Sequence, residues 1–190
     1  MSARAKNIIL GALSMLILLP VAGLLVVLTG AYNVAATDRH NPIVGWALTT
    51  TMRNHVQGAA DDLNAPAEIT PEMIAAGAGE YKSMCEHCHG GVGVSRAEWA
   101  ETMRPIPPAL AHAAQRWSLG EVHWIVSHGV KMSGMPAFGP THDQQTIWNI
   151  AAFVKAMPGM SVAQYAGYSA GHGEAGSGRS HAAGTPTHQD

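Results

Sequence analysis

Thiols are nearly absent from this chain. Of 190 residues, only Cys85 and Cys88 are cysteine. A structural zinc site needs about four ligands, usually a second Cys or His pair at fixed spacing, and no second Cys pair exists here. A thioredoxin-like redox pair wants a βαβ context, which the flanks do not show. Alternating Val/Ile/Thr runs of strand type are missing as well, so the chain reads as all-α. Charge is sparse, and between Met73 and Tyr168 acids and bases nearly cancel. That balance gives no footprint for nucleic acid and only a weak field for steering a partner. From Ser169 to Asp190 any apolar period is lacking, and Gly, Ser, Ala, Thr and His make up most of the stretch. Such a tail cannot bury enough apolar surface to order itself and is expected to be disordered. Its His172, His181 and His188 read as solubilising decoration rather than a metal site.

The two cysteines are not isolated. They stand in Cys85-Glu86-His87-Cys88-His89, the Cys-x-x-Cys-His pattern by which a c-type haem is attached. Two thiols add across the two vinyl groups of haem and hold it by thioether bonds. The two-residue gap places the sulfurs at the vinyl positions, and the adjacent His89 falls under the iron as an axial ligand. A plain disulfide between Cys85 and Cys88 would explain neither His89 nor the methionine loop downstream.

Ile8 to Leu28 runs without a charged residue. As a helix rising ~1.5 Å per residue it spans about 31 Å, enough for a bilayer core. Pro20 would break a soluble helix but is tolerated in a membrane span. Arg4 and Lys6 precede the run and no basic residue follows until Arg39, which puts the N-terminus in the cytoplasm and the rest outside. A cleaved signal peptide is the competing reading, with Val34-Ala35-Ala36 as peptidase site. Its apolar core should be roughly 7–15 residues, shorter than this one, so a retained anchor is expected. Either reading exports the remainder.

Four regions are expected: a cytoplasmic N-terminus and transmembrane anchor (1–30), a juxtamembrane segment and linker (31–69), a haem domain (70–168) and the tail (169–190). In the second, Val44, Leu48, Met52 and Val56 recur every fourth residue, a helix to rest on the membrane interface or on the protein itself. In the third, Thr70 caps a helix with Pro71 at its first position and Glu72 at the positive end of the dipole. Ser118 and Glu121 make a capping box for a helix that stops at Gly129. Thr141 with Gln144 announces a last helix carrying Ile147, Trp148, Ile150 and Phe153 and ending before Pro158. A short helical turn is expected around Glu98–Met103. Met103 to Leu110, with three prolines, cannot be regular structure.

His89 fills one axial position, and Lys131-Met-Ser-Gly-Met-Pro-Ala-Phe-Gly139 offers the other. A thioether is a soft, neutral ligand that favours reduced iron and raises the potential. Met135, between Gly134 and Pro136, is the choice, and Met132 the runner-up. The other histidines, His87, His112, His123, His128 and His142 among them, are read as solvated or packed rather than as ligands.

Taken together, these residues resemble a class I cytochrome c of the bacterial monohaem type that carries an N-terminal membrane anchor. Cys85–His89, the pair Gly77 and Tyr81 ahead of it, and Gly-Met135-Pro followed by a helix with Trp148 and Phe153 carry the resemblance over residues 70–168. It implies a class I cytochrome c helical fold around one covalent haem c, preceded by a single transmembrane helix. It further implies that the first and last helices cross at Gly77, with Tyr81 against Phe153. The proximal histidine is implied to donate its second ring N–H to a carbonyl of the Pro-rich loop, with Pro107 the pick. Arg116 and Trp117 are implied to reach a propionate.

The function expected is periplasmic electron transfer at a bacterial inner membrane, with haem ligated by His89 and Met135 and no catalysis of its own. Candidate redox partners are a quinol-oxidising complex, a terminal oxidase or a periplasmic dehydrogenase. A haem-relay subunit of a membrane-bound respiratory or dehydrogenase complex is the alternative. A haem enzyme or gas sensor with an open distal site ranks last.

Overall fold

A computed structural model describes residues 2–170; the expectations for the rest of the tail fall outside them. The chain divides into two compact units, Met1–Arg39 and His40–Asp190. The first is α1 (Ala3–Thr29), one helix of 27 residues, none of them buried. It runs straight through Pro20, and Gly30 closes it in a left-handed cap. At ~1.5 Å per residue it is roughly 40 Å long, and it is long and apolar enough to cross a membrane. Ser14 and Thr29 return their hydroxyl protons to the carbonyls of Leu10 and Leu25, so neither presents a free donor on an otherwise apolar rod.

The second unit is helical, and no strand occurs among the described residues. Its first helix, α2 (Pro42–Ala60), starts with Asn41 accepting from the Ile43 N–H and Pro42 at the first helical position. That start follows from chemistry: proline has no N–H to lose there, and the Asn oxygen serves one of the orphan donors. Val56 and Ala60 are buried and the helix lies against α7. The every-fourth-residue stripe left open which surface this helix covers; it covers the haem-domain side.

α3 (Pro71–Glu80) is capped by Thr70, whose hydroxyl accepts from the Met73 N–H. It runs on through a wider π-helical turn, Tyr81–Cys85, into the single turn α4 (Glu86–His89). The attachment motif thus sits at the end of one continuous helical rod, with its start in the wide turn. Two short turns follow, α5 (Glu98–Glu101) and α6 (Leu110–Ala113), flanking an irregular Pro-rich loop. α7 (Leu119–His128) has the expected capping box between Ser118 and Glu121. α8 (Gln144–Ala156) starts later than Thr141 would place it. Asp143 is its cap, accepting from the Thr146 N–H at 2.8 Å. Thr141 is spent on the Phe138 carbonyl instead, because Pro140 turns the chain there. A last turn, α9 (Val162–Ala166), with a second capping box between Ser161 and Gln164, was not anticipated.

The core forms where α3 crosses α8, the most extensive contact between elements. Ala78, Tyr81, Ile147, Ile150, Phe153 and Met157 are all essentially inaccessible there. The Tyr81 and Phe153 rings stand 5.3 Å apart, an aromatic pair at favourable separation, in the arrangement the resemblance implied. Gly77 is what permits the crossing: a Cβ there would overlap the Asn149 carbonyl of α8. Backbone cannot move aside as a flexible side chain does. Gly77→Val is therefore expected to cost about 3 kcal/mol or more, the upper end for overpacking. Denaturant unfolding of the holoprotein measures this, and an unchanged midpoint would remove Gly77 from the account.

Candidate functional site

Beside the helix crossing lies a cavity of about 260 Å³ in the second unit. Its lining is largely apolar: Met84 and Ile150 at the core, Leu110 and Trp117 from the α6 region, Val122, Ile125 and Val126 from α7, and Met52 from α2. Among the described residues that line it there is no carboxylate, lysine or arginine. Cys85, Cys88 and His89 all open on this one space, and Met135 is one of four methionines that line it, with Met52, Met84 and Met103. Two thiols, one imidazole and a choice of thioethers on an apolar chamber form the donor set for a covalently held haem. The residues present fit that group.

The proximal side is built from the rod's end. Tyr81 donates its hydroxyl proton to the Gly90 carbonyl at 2.7 Å, which ties the segment after His89 back to the turn before Cys85. Tyr165, buried on α9, holds the motif itself by donating to Glu86 at 2.6 Å. Both cysteines are free thiols, the form that adds to a vinyl group. Burial pushes the free Cys85 thiol up to about 12, with Cys88 and Glu80 adding to it.

His89 Nδ1 lies 2.8 Å from the Pro108 carbonyl oxygen. A carbonyl only accepts, so Nδ1 carries the proton and Nε2 keeps its lone pair for metal. Burial holds this ring below the ordinary imidazole range, the Pro108 bond works against it, and Arg96 adds to it. The carbonyl is thus Pro108's and not, as expected, Pro107's. Both prolines line the cavity, but the Pro107 carbonyl accepts from the Arg96 guanidinium. That contact fixes the loop from behind, and successive carbonyls of extended chain point different ways.

The loop bearing Met135 is folded back onto the end of α7. Phe138 and Gly139 give their N–H groups to the Val126 and Ser127 carbonyls at 3.1 and 2.9 Å, and Val130 donates to the Met135 carbonyl. The first two use carbonyls that the end of α7 leaves unpaired. Gly129 makes the reversal possible. It sits at φ 65°, and a Cβ there would run into Met135 and Pro136 backbone. Ser133 completes the turn by accepting from the Met135 N–H at 3.2 Å. Met132, the runner-up, has φ 60° and is 73% exposed, away from the cavity lining. Met103 lines the cavity and rests against Gly134.

The two residues assigned to a propionate fare differently. Trp117 lines the cavity, and Lys155 donates to its carbonyl at 2.5 Å. Arg116 is exposed and takes no part in the lining, because the short helical turn after α6 aims it outward. Sequence reasoning passed over Arg104, which stands between the lining residues Met103 and Pro105. Its Nη1 donates to the Glu101 and Met103 carbonyls while its Nε is buried without a partner, and like Arg116 it takes no part in the lining.

His123 lies outside the chamber. It is buried on α7, its ring is stacked at 3.8 Å on Trp148, and neither ring nitrogen makes a hydrogen bond of good geometry. Burial lowers its pKa from the ordinary 6.5; the Gln144 side chain opposes this and His128 adds to it. The fold therefore prefers the neutral ring. Below pH 6.5 the unfolded chain takes the proton first, so His123 subtracts stability as pH falls from there through its folded-state pKa. His123→Phe should flatten the fall in Tm between about pH 7 and pH 5; parallel Tm profiles for the two proteins would contradict this.

Compared with known proteins, residues 72–154 match the family model described as cytochrome c oxidase, cbb3-type, subunit III, a class I-type cytochrome c domain. The match takes in α3 to the body of α8 and leaves α1, α2 and α9 outside. No curated protein and no solved structure matches the chain.

Proposed function

We propose, from the premise that residues 72–154 are a class I-type cytochrome c domain behind an apolar N-terminal helix, that this protein is a membrane-anchored electron carrier with His/Met-ligated haem. The observation that carries the reading is the convergence of Cys85, Cys88, His89 and Met135 on one apolar chamber. Haem bound there supplies a one-electron iron couple. The chain does the rest. Cys85 and Cys88 hold the cofactor by thioether bonds, and His89 offers Nε2 because Pro108 occupies Nδ1. Met135 offers its sulfur from a loop anchored on α7. The apolar lining keeps water out, which disfavours the more highly charged oxidised state and raises the potential.

Were His89 and Met135 both to hold the haem iron, no site would be left on it for a substrate, and the reading is therefore an electron carrier rather than an enzyme. In this reading α1 stays in the bacterial inner membrane and the haem domain faces the periplasm, as Arg4 and Lys6 at the N-terminal end of α1 imply. Tethering confines the domain near membrane partners and raises its effective concentration there. Those partners are a quinol-oxidising complex, a terminal oxidase or a periplasmic dehydrogenase. The matching family's description, an oxidase subunit, favours a second reading in which the protein is a haem-relay subunit of a membrane-bound complex.

Purification from native membrane in mild detergent separates them. A free carrier elutes alone, and a relay subunit elutes with stoichiometric partners. In either case the reduced protein should not bind carbon monoxide at neutral pH. Binding at the wild-type iron would show an open distal site and end the electron-carrier reading.

A further inference from the structure

We propose that α2, which lies outside the matched cytochrome segment, is a fixed wall of the haem chamber, and that Met52 is a cofactor-contacting residue that helps set the potential. The inference rests on the haem reading above. Three observations carry it. The Met52 side chain lines the same cavity as Cys85, Cys88, His89 and Met135. One turn on, Val56 is 1% exposed, so the helix is docked and not merely nearby. The docking has two further anchors: His55 meets the Trp124 ring edge-on at 5.2 Å, and a Cβ at Gly120 would sit 3.5 Å from the Ala60 carbonyl oxygen.

Geometry then assigns the role. α7 gives the chamber Val122, Ile125 and Val126, and α2 lies along α7. Met52 extends that apolar wall by one residue from a second helix. One turn earlier Leu48 is already 40% exposed, so Met52 stands where the wall meets solvent. A long, polarizable side chain suits an irregular gap against a flat macrocycle. Water admitted at that point would stabilise the oxidised iron and lower the potential. The helix that follows the membrane anchor in sequence is thereby built into the redox site.

The test uses the full-length, haem-loaded protein in mild detergent, with Met52→Ser, Met52→Leu and Val56→Asp. Leucine keeps apolar volume and should keep the wild-type midpoint. Serine should lower it by about tenfold in the oxidised-to-reduced ratio, about 59 mV for a one-electron couple. Val56→Asp, which undocks α2 without touching the chamber, should lower it in the same direction. In all three, haem content and the long-wavelength iron–sulfur band should persist. A wild-type midpoint in Met52→Ser, with haem and band intact, overturns this inference and leaves the haem reading standing. Wild-type protein that carries no haem overturns the haem reading itself.

Discussion

Met135→Ala will keep its haem but lose its long-wavelength iron–sulfur band, and its midpoint potential will fall by ~100–300 mV, within the ~0.8 V over which axial ligands set haem potentials. The reduced variant will bind carbon monoxide. The reasons are local. Met135 is the methionine of the Gly-Met-Pro turn that lines the chamber, and the turn's own bonds, Val130 to the Met135 carbonyl and Met135 to Ser133, do not involve the side chain. Truncation therefore removes a soft ligand and leaves the loop. Met132 cannot substitute without rebuilding a loop that now holds it 73% exposed. A variant that kept the band and the potential would show that the sulfur on iron is not Met135.

The double variant Cys85→Ser/Cys88→Ser will accumulate no covalent haem, and each single variant will mature in much reduced yield. The serine hydroxyl is nearly the shape of the thiol but does not form the thioether. The wide turn Tyr81–Cys85 and the single turn Glu86–His89 need no sulfur to form, so the loss reads on attachment rather than on folding of the rod. Acid–acetone extraction decides it: colour stays with the wild-type polypeptide and leaves that of the double variant. Colour retained by the double variant would mean that some other group holds the cofactor.

The candidate site was legible in the chain because the covalent chemistry proposed for it would fix sequence spacing. Cys85, Cys88 and His89 stand at the spacing that would let two sulfurs and one imidazole meet one macrocycle. Helix starts that rest on a reciprocal side-chain bond were legible for the same reason, as at Ser118 and Glu121. Failures came where the deciding contact is distant or directional. The Pro-rich stretch pointed to the right loop, but not to Pro108 over Pro107, because irregular backbone sets where each carbonyl points. Thr141 looked like a cap until Phe138, three residues earlier, claimed its hydroxyl. Arg116 was chosen for its charge, yet a short helical turn aims it at water while Arg104 keeps an unused buried donor. The stripe through Met52 announced an apolar face without saying what it covers. Only the packing of α2 on α7 brings that methionine to the chamber.

The intact mass of the denatured full-length chain, expressed in a host able to mature such proteins, tests the central claim most directly. The account predicts the polypeptide plus one haem, surviving denaturation and chromatography because two thioethers hold it. The mass of the bare polypeptide, with no haem colour on the protein, would contradict it.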